Sequence, residues 1–129
     1  MKRSFEMRLP ALILSASLIA LSAPASAGDP ALGEKVFKKC KACHVAAEEK
    51  HKTGPHLVNI MGRAAGSAEG YKKYSGAMKE SGIVWDEATL DAYLEAPKKY
   101  IKGTRMAFAG LKKAEDRANV IAYLKQFSQ

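Results

Sequence analysis

The chain has 129 residues, with 21 lysines and arginines against 13 acidic residues and a net charge of +8. That length holds one small domain and excludes a multidomain architecture. The basic balance invites nucleic acid as a partner, while the only two cysteines, Cys40 and Cys43, are too close for a bridge between them to stabilise folding much.

The first residues read MKRSFEMRLPALILSASLIALSAPASAGDP. Lys2, Arg3 and Arg8 precede an apolar run from Leu9 to about Leu21, and Ala25, Ser26 and Ala27 supply small residues for cleavage. This is the layout of a secretory signal peptide, because the run falls short of the ~20 residues that a bilayer span requires. A cut after Ala27 makes residues 28–129 the mature domain, with 18 cations, 12 anions and a charge of +6. No later stretch is apolar for long enough to span a membrane, so the product is expected in the periplasm with no stable membrane insertion. Export also argues against nucleic acid.

Asp29 as N-cap and Pro30 at the first helical position open a helix expected to run to about Cys43, with Leu32, Val36 and Phe37 near one face. It leads into CKACH, Cys40 to His44. A thioredoxin-like thiol pair belongs to a βαβ pattern, and no convincing strands are present. Zinc would need a second ligand pair; no further cysteine exists, which leaves His51 and His56 as its only conceivable contributors. The spacing C-x-x-C-H is that of covalent c-type haem attachment, in which two thiols three positions apart reach one porphyrin edge and the next histidine lies beneath the iron. His44 would then be the proximal ligand.

Residues 48–74 read as an extended loop, which is uncommon at that length in a compact domain unless functional. A buried haem gives such a loop apolar faces to pack against. A short helix is expected near Ser75 to Lys79. The stretch WDEATLDAYLEAPKKY forms a second main helix, capped by Asp86, burying Leu90, Tyr93 and Leu94, and ended by Pro97. Met61 and Met78 read as packing residues, whereas Met106 lies on a loop after Gly103 and Thr104, where a thioether can reach the iron. The last helix, roughly Glu115 to Phe127, buries Val120, Ile121, Leu124 and Phe127. The expected fold class is all-α: three main helices, a short helix and loops around one covalent haem c.

With CKACH, TGPHL, GIVWDEATLDAYLEAPKKYIKGTRMAFAGLKK and VIAYLK in order, the mature chain resembles the class I cytochromes c from end to end, and most of all the bacterial cytochromes c2. The resemblance implies thioether bonds at Cys40 and Cys43 and iron ligation by His44 and Met106. It implies that the Pro55 carbonyl accepts from the free ring nitrogen of His44, and that Tyr93 hydrogen-bonds near the Met106 sulfur. Tyr74, Trp85, Thr104 and Arg63 would surround the haem propionates. Two departures stand out: Lys102 occupies the place of a proline found in mitochondrial members, and Met78 that of an asparagine. The first is expected to weaken the hold of the Met106 loop, so that Lys98, Lys99 or Lys102 replaces methionine at high pH.

Ten of the 18 mature cations, and none of the 12 anions, lie in residues 35–47 and 96–114, which flank the iron ligands. Lys38, Lys39, Lys41, Lys98, Lys99, Lys102, Arg105, Lys112 and Lys113 read as a docking ring for acidic surfaces. The expected function is therefore a monomeric electron carrier, not an enzyme. It would run from a membrane cytochrome bc complex to cytochrome c oxidase or a photosynthetic reaction centre. The rival expectation is a monohaem enzyme or sensor whose sixth position opens to peroxide or a gas.

Overall fold

The computed structural model describes residues 27–129, so the expected leader, residues 1–27, lies outside the described residues except for Ala27. Helix α1 (Pro30–Phe37) opens as its sequence dictates: Asp29 is extended, and its Oδ1 accepts from the amides of Ala31 at 2.8 Å and Leu32 at 3.2 Å. Regular helix stops at Phe37, short of the expected Cys43. Beyond it the amides of Lys38, Lys39 and Cys40 bond three residues back, tightening the chain into successive turns that end where the His44 amide meets the Cys40 carbonyl at 2.9 Å.

Residues 45–75 carry no helix. They hold their course through backbone bonds to other segments, including Leu57 N–H to Val45 O at 2.9 Å, Asn59 N–H to Phe127 O at 2.9 Å and Ala65 N–H to Ile83 O at 2.8 Å. An isolated antiparallel bridge joins Ala64 to Val84, the one β feature among the described residues. Helix α2 (Gly76–Glu80) is capped by Ser75, whose Oγ accepts from the Met78 amide at 3.0 Å. Helix α3 (Glu87–Glu95) starts in a capping box: the Thr89 amide donates to Asp86 Oδ1, and the Asp86 amide donates to Thr89 Oγ1, both at 2.8 Å.

Pro97 ends the second main helix as expected: α3 stops at Glu95 and Ala96, the residue before the proline, leaves helix at φ −153°, ψ 81°. Pro97 then also starts a separate one-turn helix, α4 (Pro97–Tyr100). The ring that cannot continue one helix is preorganised to open the next. Helix α5 (Ala114–Lys125) ends two residues short of Phe127, which nevertheless packs edge-on against Tyr123 at 5.2 Å.

The first and last described helices meet: α1 lies across α5, where a Cβ on Gly33 would come 1.9 Å from the Asn119 carbonyl oxygen. The Phe37 and Tyr123 rings lie 5.3 Å apart at that crossing, and Asn119 Oδ1 accepts the Asp29 amide at 2.8 Å. Leu32, expected near one helical face with Val36 and Phe37, is 40% exposed, because glycine and not leucine faces α5 at that turn. Trp85, Leu90, Tyr93, Val120, Ile121 and Leu124 form the heart of the core, and Arg117 ties it together. Its Nε donates to Asp91 on α3 at 2.7 Å and its Nη1 donates to the carbonyls of Leu111 and Lys112. The all-α expectation holds.

Candidate functional site

A cavity of about 500 Å³ opens beside the turns after α1, within the range of ligand sites and with largely apolar walls. All ten residues expected at the cofactor line it. Cys40, Cys43 and His44 come from the turns, Pro55 and Arg63 from the long loop, and Tyr74 and Trp85 from either side of α2. Tyr93 comes from α3, and Thr104 and Met106 from the strap between α4 and α5.

Both cysteines are free thiols. Burial pushes the Cys40 thiol up, against the pull of neighbouring Lys39, so it is held as the protonated thiol and not as a metal-seeking thiolate. His44 Nδ1 lies 2.7 Å from the Pro55 carbonyl oxygen. A carbonyl only accepts, so Nδ1 carries the proton and Nε2 presents a lone pair. Burial pushes the His44 imidazole below its usual range; the Pro55 bond opposes this, while the charges of Arg63 and Lys52 add to it. The ring is neutral at pH 7. Gly54 clamps it, since a Cβ there would come 2.4 Å from His44 Cε1.

The strap is fixed by a closed set of bonds. The Met106 amide approaches Thr104 Oγ1 at 3.4 Å, Tyr93 Oη lies 2.8 Å from Thr104 Oγ1, and Tyr93 Oη lies 3.8 Å from Met106 Sδ. One assignment satisfies every group: the Met106 amide donates to Thr104, the Thr104 hydroxyl to Tyr93, and the Tyr93 hydroxyl to the Met106 sulfur. Burial pushes the Tyr93 phenol up, partly offset by its Thr104 bond, so the donor keeps its proton. At the far end the strap rejoins α3 through Leu111 N–H to Leu94 O at 2.7 Å and Lys112 Nζ to Glu95 O at 2.9 Å.

Arg63 donates from Nη1 to Val58 O and from Nη2 to His56 O, but its Nε is buried with no partner. A buried orphan donor on the wall of an apolar cavity calls for an acceptor supplied from outside the chain. Haem c fits these residues: two free cysteines, a bare imidazole nitrogen, a thioether and an unspent donor share one apolar cavity.

The zinc alternative does not survive. No group of three or more His, Cys, Asp or Glu side chains gathers among the described residues. His51 and His56 stack on each other, ring centroids 5.0 Å apart and planes 17° from parallel, in a second cavity of about 370 Å³ that shares only Arg63 with the first. Sequence reasoning missed Tyr71, Phe108 and Gly54 on the main cavity wall, and Met78, read as packing, lines it too. Gly54 had a signal, its place before Pro55; nothing in the sequence marked Tyr71 or Phe108.

The nine docking candidates are all exposed, and Lys39 and Arg105 also reach the cavity wall. Neither ion pair among the described residues, Arg117 with Asp91 or Lys125 with Glu87, engages any of them.

The cytochrome c family model matches residues 30–128. Among curated relatives, a cytochrome c2 of Rhodomicrobium vannielii is 51% identical over 113 residues, covering 87% of this chain and 90% of the relative. A cytochrome c of Chlamydomonas reinhardtii is 56% identical over 106 residues, covering 81% and 94%. Among solved structures, cytochrome cH from Methylobacterium extorquens matches with a TM-score of 0.73 and 46% identity, covering 77% of this chain and 99% of that one.

Proposed function

The chain belongs to the cytochrome c family, as an electron-transfer cytochrome with covalent haem c, and from that premise we propose that it is a periplasmic carrier with His44 and Met106 as axial ligands. It takes one electron from a membrane cytochrome bc complex and passes it to cytochrome c oxidase or a photosynthetic reaction centre. The single observation that carries the ligand assignment is the closed ring of hydrogen bonds that holds the Met106 sulfur on the wall of the cavity that His44 also lines.

When bound, the haem supplies a one-electron ferrous/ferric couple. Cys40 and Cys43 would hold it by thioether bonds, and His44 Nε2 and Met106 Sδ would ligate the iron. Fixed in one orientation by Pro55 and Gly54, His44 needs no rearrangement when the charge on its partner changes. Tyr93 and Thr104 do the same for Met106. Arg63, Tyr74 and Trp85 offer donors, and Thr104 part of the wall, to the propionates, whose charge is costly to bury unpaired.

Residues 28–129 are the mature domain in this reading. In its favour, Gly28 lies so close to α5 that a Cβ would come 2.0 Å from the Ala118 carbonyl oxygen, so the first residue after the proposed cut packs against the domain. The nine exposed cations provide a docking face for acidic partners, and no described helix is long and apolar enough to cross a membrane. The test is to mix the ferrous holoprotein with carbon monoxide at neutral pH. No spectral change is expected, and immediate binding would instead establish the open-site enzyme or sensor.

A further inference from the structure

His51, half-buried outside the main cavity, has both ring nitrogens committed to backbone groups. Its Nε2 lies 2.7 Å from the Glu69 carbonyl oxygen, and its Nδ1 lies 3.2 Å from the backbone nitrogen of His56. A carbonyl only accepts and an amide only donates, so Nε2 bears the proton and Nδ1 is the acceptor. The amide that donates to Nδ1 belongs to the Pro55–His56 peptide. The oxygen of that same peptide accepts the His44 Nδ1–H at 2.7 Å. One planar amide therefore has the His44 ring at its oxygen and the His51 ring at its nitrogen.

The two ends of an amide are coupled by resonance. Donating its N–H to His51 shifts electron density toward the carbonyl oxygen, and hydrogen bonds in series strengthen one another by about 10–30% per bond. A stronger acceptor on Nδ1–H makes the imidazole a more basic ligand at Nε2. The geometry suits transmission by charge and not by movement. Gly54 leaves the His44 ring no room to turn, and stacking on His56 fixes the His51 ring.

We infer that His51 is a positioning residue for the axial histidine: by accepting the His56 amide it raises the basicity of His44 and lowers the midpoint potential of the bound haem. The inference rests on the reading of His44 as an axial ligand.

Two substitutions in the holoprotein separate the two bonds of His51. In His51→Asn the side-chain amide occupies the place of Nδ1, keeping an acceptor for the His56 amide while falling short of Glu69. In His51→Gln it reaches the place of Nε2, keeping a donor for Glu69 and removing the acceptor. The readouts are the midpoint potential and the NMR shift of His44 Nδ1–H in the ferrous protein. His51→Gln is expected to raise the potential and move the Nδ1–H resonance upfield, as a weakened hydrogen bond does. His51→Asn is expected to leave both in place while melting at a lower temperature. A potential unmoved in His51→Gln, or equal shifts in the two variants, overturns the inference. If His51→Gln does not fold, His51→Ala takes its place with the same rise expected. In the unsubstituted protein, His44 ring resonances without haem-induced shifts would sink the axial assignment itself. Their presence beside an unmoved His51→Gln potential would sink only the relay.

Discussion

Thr104→Val tests how the strap holds its sulfur. Valine matches threonine in shape, so no cavity opens, yet the hub of the ring is lost. The Met106 amide loses its acceptor and the buried Tyr93 hydroxyl loses a donor 2.8 Å away. Stranding such groups costs about 1–3 kcal/mol, and the lower half of that range applies here because Met106 is only half-buried and the Tyr93 proton keeps its sulfur partner. One pKa unit corresponds to 1.36 kcal/mol, so a loss of about 1–2 kcal/mol borne wholly by the ligated form lowers the midpoint of alkaline methionine loss by about 0.7–1.5 pH units. The assay is a pH titration of the ferric holoprotein, following the methionine-to-iron absorption band. Tyr93→Phe should lower the midpoint as well, and the double variant should fall short of the sum because the groups form one network. A Thr104→Val midpoint within about 0.2 units of the unsubstituted protein, well inside the 0.7 expected, would refute the ring as the holder of Met106.

Lys102→Pro should act in the opposite sense. Ile101 is already extended at φ −121°, ψ 94°, as a residue before proline must be, and the Lys102 amide makes no hydrogen bond among the described residues. A gain of about 0.4–1 kcal/mol in chemical denaturation is expected, with a higher alkaline midpoint. Arg117→Met should cost about 2 kcal/mol by releasing two strap carbonyls from a charged donor, while Asp91→Asn should cost less, since that carboxylate side chain is 46% exposed. Thermal melts of the two rank them. The Thr89 amide and hydroxyl hold the Asp86 carboxyl below the usual carboxylate range. Its contribution is therefore intact above the ordinary carboxylate value and fades as pH falls through the depressed one, and Asp86→Asn should flatten that acid limb in pH-dependent unfolding. Transfer to an acidic acceptor, followed by stopped flow, should slow as salt rises, and a salt-independent rate would remove the docking role of the nine cations.

Much of the site was legible because its chemistry is local. CKACH puts thiols and imidazole within one turn, and Asp29 and Asp86 announce helix starts by bonds to amides two or three residues on. Met106 stood out because the strap is short and bounded by Gly103 and Thr104. What escaped is held by distant partners. The Ala64–Val84 bridge and the Arg117 clamp join segments that no sequence period links. Leu32 follows the helical period yet stays 40% exposed, because it is Gly33 that faces α5. Pro97 carried two signals, stop and start, and only the first was read.

The cavity takes Phe37 from the first helix and Val120 and Leu124 from the last. The pocket is therefore incomplete until α5 has been synthesised and has come back to meet α1. Any coupling of the porphyrin to Cys40 and Cys43 before that moment occurs on an open strand, and the ring is afterwards wrapped by folding instead of slipped into a waiting slot.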